Sequence, residues 1–270
     1  MSAALITIGP GPRNARTDPK TGLRRYTWQG RELLSVTSVR RVAGIPHGLH
    51  QWALNQVIDA AIARAPDHAE RLASRDGQDK VIASELRKAS VAKRDAAAEL
   101  GLAVHDAAAA GKSLDQVTPE VASRLRQYKD WLAVSGAEIL ASEFQVWHLA
   151  DGYAGTADLM CRFSNGDIYV VDIKTGAGLY AEHALQLVAY LNAEFVGTDD
   201  VVDDHLTELL KKAKRMAVLH LTETGWRFEV LRSDISTWVG FAGLLDFARW
   251  MDEHQSFESV SSVSRSGSAT

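Results

Sequence analysis

The sequence contains one cysteine, Cys161, in 270 residues. A single cysteine excludes a disulfide within the chain, and it excludes an iron–sulfur cluster held by the chain's own thiolates. One free thiol is also compatible with a reducing compartment, where disulfides are rare. We therefore expect a cytoplasmic protein with no iron–sulfur cluster.

Two other patterns are missing: a long apolar run and a phosphate-cradling glycine motif. No run approaches the ~20 apolar residues of a membrane-spanning helix, and the first residues lack the charged-then-apolar layout of a secretory signal. The chain has no Gly-x-x-x-x-Gly-Lys segment, which argues against an ATP-driven helicase. We expect no membrane partner.

The composition is that of an ordinary globular protein. Hydrophobic residues make up 46% and charged residues 24% of the chain, which is enough to bury a substantial core. The net charge of -4 argues mildly against a protein that coats nucleic acid non-specifically, because such binding depends on neutralising phosphates. Basic clusters, one over residues 87–94, can still guide a phosphate backbone, although each cluster alone is better interpreted as a solvated face.

The most informative stretch covers residues 143–190. Its pattern predicts strands over 143–149, 155–163 and 168–174, with turns at 150–152 and 164–167, and then a helix over 182–195. Because side chains alternate along a strand, Asp172 and Lys174 point the same way. Asp158 lies on the neighbouring strand, so the predicted hairpin brings two acids and an amine together.

This trio points to metal-assisted chemistry on a phosphodiester. Buried charges need compensating partners, and a divalent cation between Asp158 and Asp172 would supply them. The main-chain carbonyl of Ile173 offers a further oxygen ligand, and hard oxygen ligands suit Mg2+ or Mn2+. Lys174 would then lie beside an attacking water or the phosphate oxygens. The alternative is structural: Asp158 caps a turn, and Asp172 forms an exposed ion pair with Lys174.

Three short segments resemble a known family in their order. Gly-Thr-Ala-Asp at 155–158, Asp-Ile-Lys-Thr-Gly at 172–176 and Gln-x-x-x-Tyr at 186–190 resemble the signature of the RecB-type branch of PD-(D/E)XK nucleases. The layout is similar to phage exonucleases related to the CRISPR-associated exonuclease family. The resemblance covers about a third of the chain. It implies an α/β, restriction-endonuclease-like core with a central mixed sheet flanked by helices, and it places a phage protein in the host cytoplasm.

The resemblance also implies residue roles. Asp158, Asp172 and Lys174 would be catalytic, and His105, Asp158, Asp172 and the carbonyl of Ile173 would bind the metal. Gln186 and Tyr190 would position the nucleic-acid strand, since residues four apart share one helix face. A lone histidine is more often a core or surface residue than a ligand, but the order of the downstream motifs favours His105 as a ligand.

Two features depart from the family pattern. Many relatives carry four cysteines for an iron–sulfur cluster, and this chain has one. The residues after His105 are alanines at 107–110, where relatives carry an acid. That leaves Glu143 or water to complete the site. The sequence does not decide whether Glu143 is an additional acid of the site or a structural charge.

The remaining chain frames this core. We predict N-terminal strands and a helical region over 1–100, a nuclease core over 101–255, and a serine-rich disordered tail over 256–270. Helices are predicted over 49–65, over 78–110 with a break near Gly101, from Thr118-Pro119 to Gly136, over 207–215 and over 235–254. Strands are predicted over 216–221 and 226–231. We interpret the large apolar side chains of the last helix as core rather than a base-stacking platform: Trp238, Phe241, Leu244, Leu245, Phe247 and Trp250.

The sequence thus predicts a metal-dependent DNA nuclease, an exonuclease acting in DNA replication, recombination or repair. An alternative is a DNA-binding recombination or packaging partner that keeps the fold without cleaving. A small-molecule hydrolase is a third interpretation. DNA is the expected partner, with other recombination proteins and a homo-oligomer left open, as are cleavage polarity and strand preference.

Overall fold

The computed structural model describes residues 15–19, 21–44, 47–74 and 78–254. It is a mixed α/β structure with a curled central sheet flanked by helices. The strands are β1 (Ala15–Thr17), β2 (Arg24–Trp28), β3 (Arg31–Ser35), β4 (Glu138–His148), β5 (Tyr153–Arg162), β6 (Ile168–Lys174), β7 (Phe195–Thr198), β8 (Val201–Val202), β9 (Arg215–Leu221) and β10 (Trp226–Leu231). The helices are α1 (Val36–Arg41), α2 (His47–Ala63), α3 (Ala65–Ser74), α4 (Gln78–Ala109), α5 (Pro119–Ser135), α6 (Glu182–Leu191), α7 (Asp204–Lys212) and α8 (Ile235–Glu253).

Strand β5 is the centre of the sheet. One of its edges pairs antiparallel with β4 along its whole length. The other edge pairs parallel with β3 at Tyr153 and Ala154 and antiparallel with β6 from Leu159 onward. Residues 155–158 therefore lie at a fork, where β3 has ended its pairing and β6 has turned away. Beyond Val171, β6 pairs only with β9, in parallel, as far as Lys174 and His220.

Two apolar layers enclose the sheet. Helices α1, α6, α7 and α8 pack on one face around Val170, Leu187 and Phe241. Helices α4 and α5 pack on the other face, where Trp131 and Ile173 are buried. The alternation along β6 accounts for this, because Val170 and Val171 supply opposite faces. Asp172 follows on the α6 side and remains buried.

Several sequence predictions are confirmed. The central mixed sheet, the flanking helices and the β5–β6 hairpin are present, and strand β6 has the predicted bounds. Helix α5 begins after Thr118 with Pro119 in its first turn and ends at Gly136 in the left-handed conformation, although the Thr118 side chain makes no capping hydrogen bond. Strands β9 and β10 and helix α8 also lie where predicted.

Other predictions are wrong in detail. Helix α6 ends at Leu191, and Phe195 begins strand β7, so the predicted helix to Phe195 is too long. The predicted break near Gly101 is absent, because α4 runs unbroken from Gln78 to Ala109. A Cβ at position 101 would lie 3.3 Å from Thr175 Oγ1. The glycine therefore brings the helix close to the end of β6 instead of interrupting it.

The last helix is only partly core. Phe241 and Leu245 are buried as predicted, and Trp238 and Leu244 pack against them. Phe247 and Trp250 are 46% and 53% exposed, so the core interpretation is wrong for these two. The predicted tail over 256–270 lies outside the described residues.

Among the helices in the described ranges, none combines the length and apolar character that crossing a membrane requires.

Candidate metal and phosphodiester site

The fork between β5 and β6 places Asp158. Its Oδ2 accepts a hydrogen bond from the main-chain N–H of Ile173 at 2.6 Å. In a continuous hairpin that N–H would meet a main-chain carbonyl of β5, but β6 has already diverged. The carboxylate thus replaces a ladder hydrogen bond, which fixes the side chain in the fork with 10% of its surface exposed.

Asp172 is held from two sides. Gln186 on α6 donates to its Oδ1 at 3.1 Å, and Lys174 Nζ lies 2.5 Å from its Oδ2. That second contact is a close ion pair, in which the Lys174 ammonium compensates the charge of the buried Oδ2. Gln186 also donates to Tyr190 Oη at 3.0 Å. The predicted substrate-positioning pair, Gln186 and Tyr190, is therefore buried behind Asp172.

His105 reaches the fork from α4. Its Nε2 lies 3.1 Å from the main-chain carbonyl of Ile173, which can only accept, so Nε2 carries a proton. Its Nδ1 faces Glu143 Oε1 at 3.5 Å and Asp158 Oδ1 at 3.4 Å. A lone pair on Nδ1 would be repelled by two carboxylates, so this arrangement suits the doubly protonated imidazolium. The histidine occupies the position of a cation.

Glu143 approaches on a strained backbone. It lies in β4 with φ at 49°, a left-handed conformation that a non-glycine residue rarely adopts. The residues around it pair with β5 at Ser142 and Phe144. Such strain persists only where the surroundings enforce it, and it concentrates at functional sites.

The pKa shifts reveal how charge is balanced here. Burial alone would lower the pKa of His105, but Asp158 and Glu143 outweigh it and hold that pKa well above its ordinary value. Burial alone would raise the pKa of Asp158, yet His105, Lys174 and the Ile173 N–H hold it low. Burial raises the pKa of Glu143 and of Asp172, against the opposing charge of His105 and Lys174. Three carboxylates therefore share one lysine and one protonated histidine.

This arrangement fits a divalent cation. Ligand atoms of His105, Glu143 and Asp158 all lie within 4.8 Å of one another, and we call these three residues the acidic cluster. The carbonyl of Ile173 lies at the Nε2 edge of the same imidazole, whereas the two carboxylates face Nδ1, and Asp172 Oδ2 is paired with Lys174. Asp172 itself is not a member of the acidic cluster. Carboxylate and carbonyl oxygens are the ligands of Mg2+ and Mn2+, although they do not identify the ion.

Residues beyond the predicted set shape this site. A Cβ at Gly155 would lie 2.5 Å from Tyr190 Cε1, so glycine is needed for the tyrosine ring to lie against β5. Tyr26 on β2 shares a 3.1 Å hydrogen bond with Thr156 in the fork. Alternation in 24–28 predicts an inward Tyr26, but nothing local predicts the contact, which joins residues 130 positions apart.

Two further histidines lie near Lys174. His220 on β9 is opposite Lys174 in the parallel register, and its Nε2 lies 2.7 Å from the carbonyl of Gly176. His183 on α6 is buried, and burial, followed by the charge of Lys174, lowers its pKa to about 3. Sequence reasoning missed both. For His183, the only local signal is its place one residue into a helix that follows the Lys174 loop.

Comparisons with known proteins add little. No model of a known protein family matches the chain, and no curated protein matches it. A solved structure titled "Crystal structure of SSO0001" aligns with a TM-score of 0.31 and 18% identity, over 47% of this chain and 57% of that chain. The match thus spans a little over half of that protein's length. A likeness this weak says nothing about what the chain does.

Proposed function

We propose that the protein is a metal-dependent deoxyribonuclease of the PD-(D/E)XK type, acting as an exonuclease. The observation that carries this proposal is the convergence of the acidic cluster with Asp172 and Lys174 at one fork of the sheet. The family resemblance of the three sequence segments supports the same class and is the reason for preferring action at DNA ends.

The charge at the fork favours a cation there. Asp158, Asp172 and Glu143 can carry three negative charges, and Lys174 offsets only one when His105 is neutral. The raised pKa values of His105, Glu143 and Asp172 favour the binding of protons here when no cation is bound. A divalent cation would replace those protons, with the acidic cluster, Asp172 and the Ile173 carbonyl as the residues that hold it.

The bound cation would supply a Lewis acid for a phosphate oxygen and a water of lowered pKa. Lys174 Nζ would donate to a non-bridging phosphate oxygen and stabilise the charge that develops on it. Gln186 would act as a positioning residue, since its Nε2 fixes Asp172 Oδ1 and bonds to Tyr190. His105 would turn one ring nitrogen, without its proton, toward the cation.

A direct test measures nucleotide release from end-labelled linear DNA with Mn2+, Mg2+ or EDTA. We expect release with the metals and none with EDTA. Asp172→Asn and Lys174→Ala should each abolish release while the thermal unfolding transition stays cooperative. Matched controls are Asp167→Asn in the turn before β6, whose side chain is 39% exposed, and Lys211→Ala on α7, whose side chain is 57% exposed; both variants are expected to keep full activity.

The second candidate is a DNA-binding partner that does not cleave. One observation favours it: Ala107 and Ala108, two and three residues after His105, are 1% and 7% exposed, so these two positions of α4 contribute no acid to the site. If the wild-type protein binds linear DNA but releases no nucleotides with either metal, this candidate replaces the nuclease. Activity of the Lys174→Ala variant at the wild-type level would refute the role assigned to that lysine.

A further inference from the structure

A second concave region is lined in part by Lys174, the residue that pairs with Asp172 at the fork. It is a cavity of about 270 Å3, lined by Arg94, Ala97, Lys174, the 176–178 loop, Tyr180 and His183, and we call it the Tyr180 cavity. Lys174 connects the cavity to the fork, because its Nζ pairs with Asp172 while the residue also lines the cavity. Whatever fills the cavity therefore lies next to the predicted scissile phosphate.

One wall of the cavity comes from α4. Ala97 lies two turns before His105 on the same helix face, and Gly101 lies between them. These small side chains leave room beside the helix, and Arg94 adds a positive charge one turn earlier. Arg94 also pairs with its neighbour Asp95 at 3.1 Å, but it remains exposed. The wall thus combines a cation with an open apolar surface.

The opposite wall is formed by the loop into α6. Residues 176–178 of the loop are Gly, Ala and Gly, and a Cβ at Gly176 would meet no atom within 4 Å. The main chain of this loop can therefore approach a ligand closely. Tyr180 lines the cavity and lies edge-on to His183, with ring centroids 5.9 Å apart. An aromatic ring beside cationic side chains is the combination that stacks a nucleobase and holds its phosphate.

His183 supplies a donor whose direction the structure defines. The Tyr180 main-chain N–H donates to its Nδ1 at 3.3 Å, so the proton of the neutral imidazole lies on Nε2. His183 is only 6% exposed. Among the described residues, however, none forms a hydrogen bond with its Nε2. Because His183 lines the cavity, this accessible donor is available to an acceptor on a ligand there.

We propose that the Tyr180 cavity binds the nucleotide next to the scissile phosphate as a single unpaired residue, with its base against Tyr180 and an acceptor on His183 Nε2. The inference rests on the proposed nuclease function. Pockets for drug-sized ligands measure about 300–1,000 Å3, so this cavity, at about 270 Å3, is closer in size to one nucleoside than to a base pair. The substrate class is accordingly single-stranded DNA, or duplex DNA whose end has been separated.

The test measures binding without catalysis. Fluorescence anisotropy in EDTA compares a labelled single-stranded oligodeoxythymidylate with a blunt hairpin duplex of equal length. Wild-type protein should bind the single strand at least tenfold more tightly, and equal affinities would overturn the proposal. Tyr180→Ala should weaken single-strand binding about tenfold, since base–aromatic stacking contributes on this scale. Tyr180→Phe, which keeps the ring, should bind like the wild type.

Two controls keep the result interpretable. Trp250→Ala removes an exposed aromatic ring on α8 and should leave binding unchanged. His183→Met removes the donor and should weaken binding several-fold, whereas His183→Gln keeps an N–H and should restore part of the affinity. If both Tyr180→Ala and His183→Met bind as the wild type does, the cavity is not the nucleotide site.

The outcomes separate this inference from the proposed function. Tight single-strand binding that depends on Tyr180, combined with no nucleotide release in Mn2+, would reject the nuclease and keep the cavity assignment. Nucleotide release by a protein whose single-strand binding does not depend on Tyr180 or His183 would keep the nuclease and reject the cavity assignment.

Discussion

The acidic cluster and the Tyr180 cavity are connected through the Asp172–Lys174 pair and differ in character. In the acidic cluster, the ligand atoms face one another within 4.8 Å, so the protein neutralises them with a histidine proton. In the Tyr180 cavity, Nε2 of His183 has no protein partner among the described residues, and Arg94 lines the wall while it pairs with Asp95. We propose that the first region exchanges a proton for a metal ion and that the second accepts a polar, aromatic ligand.

The contrast has one structural cause. Strand β6 leaves β5 after Val171 but stays paired with β9 through Lys174. On the β5 side this divergence frees the Ile173 N–H and draws Asp158 into the fork. At the end of the strand it releases the 176–178 loop, which forms the cavity wall. A single divergence in the sheet thus shapes both the candidate metal site and the wall of the Tyr180 cavity.

The largest expected effect comes from removing charge in the acidic cluster. Asp158→Asn keeps the shape and can still accept from the Ile173 N–H, but it loses a metal-ligand charge. We expect cleavage to fall on the order of a thousandfold, while single-strand binding in EDTA stays within twofold. The rise in melting temperature caused by Mn2+ should also vanish. Loss of single-strand binding in this variant would contradict the independence of the two regions.

The next effect concerns the support behind Asp172. Gly155→Ala would place a Cβ 2.5 Å from Tyr190 Cε1, so the ring must move and its hydrogen bond with Gln186 must stretch. We expect a loss of about 1–3 kcal/mol in the free energy of unfolding, measured by urea denaturation. Gly176→Ala is the matched control, because its Cβ meets open space and should change stability by less than about 0.5 kcal/mol. Equal stability of the two variants would show that Tyr190 is free to shift.

A third prediction uses pH to compare the two regions. His105 has a raised pKa, so in the metal-free protein it contributes stability that is fully present below its unfolded pKa of about 6.5 and is lost as pH rises through the raised value. Metal must displace that proton, so Mn2+ affinity should rise up to about tenfold per pH unit as pH approaches the raised pKa.

Isothermal titration with Mn2+ between pH 6 and 9 measures this dependence. Single-strand binding in EDTA should change much less over the same range, because the pKa of His183 is lowered to about 3 and its ring stays neutral. A flat Mn2+ affinity across the range would contradict the exchange of a proton for the metal. The His105→Ala variant, which lacks the titrating ring, provides the control.

Sequence reasoning located the site but not its details, for physical reasons. Alternation and turn residues predicted the β5–β6 hairpin and the common direction of Asp172 and Lys174, which the structure confirms. These are local properties. The approach of α4, the fork and the role of Gly101 depend on packing between residues far apart in sequence, and no local pattern encodes them. His183 was missed because its proposed role depends on two features of the folded protein, the Nε2 atom without a protein partner and the cavity that the residue lines.

The smallest expected effect resolves the open role of Glu143. Its left-handed backbone costs about 1 kcal/mol relative to glycine. Glu143→Gly should therefore stabilise the metal-free protein by about that amount in urea denaturation. Gln29→Gly relieves the same strain, at φ 46°, in the exposed β2–β3 turn and is the matched control.

The two glycine variants should differ only when Mn2+ is present. Gln29→Gly should keep its metal-dependent stabilisation and its cleavage, whereas Glu143→Gly should lose most of both, because a ligand of the acidic cluster is gone. Glu143→Gln, which keeps the strain and removes the charge, should lose metal binding without gaining stability. If Glu143→Gly instead cleaves like Gln29→Gly, the carboxylate is a structural charge, and the strained backbone needs an explanation other than metal binding.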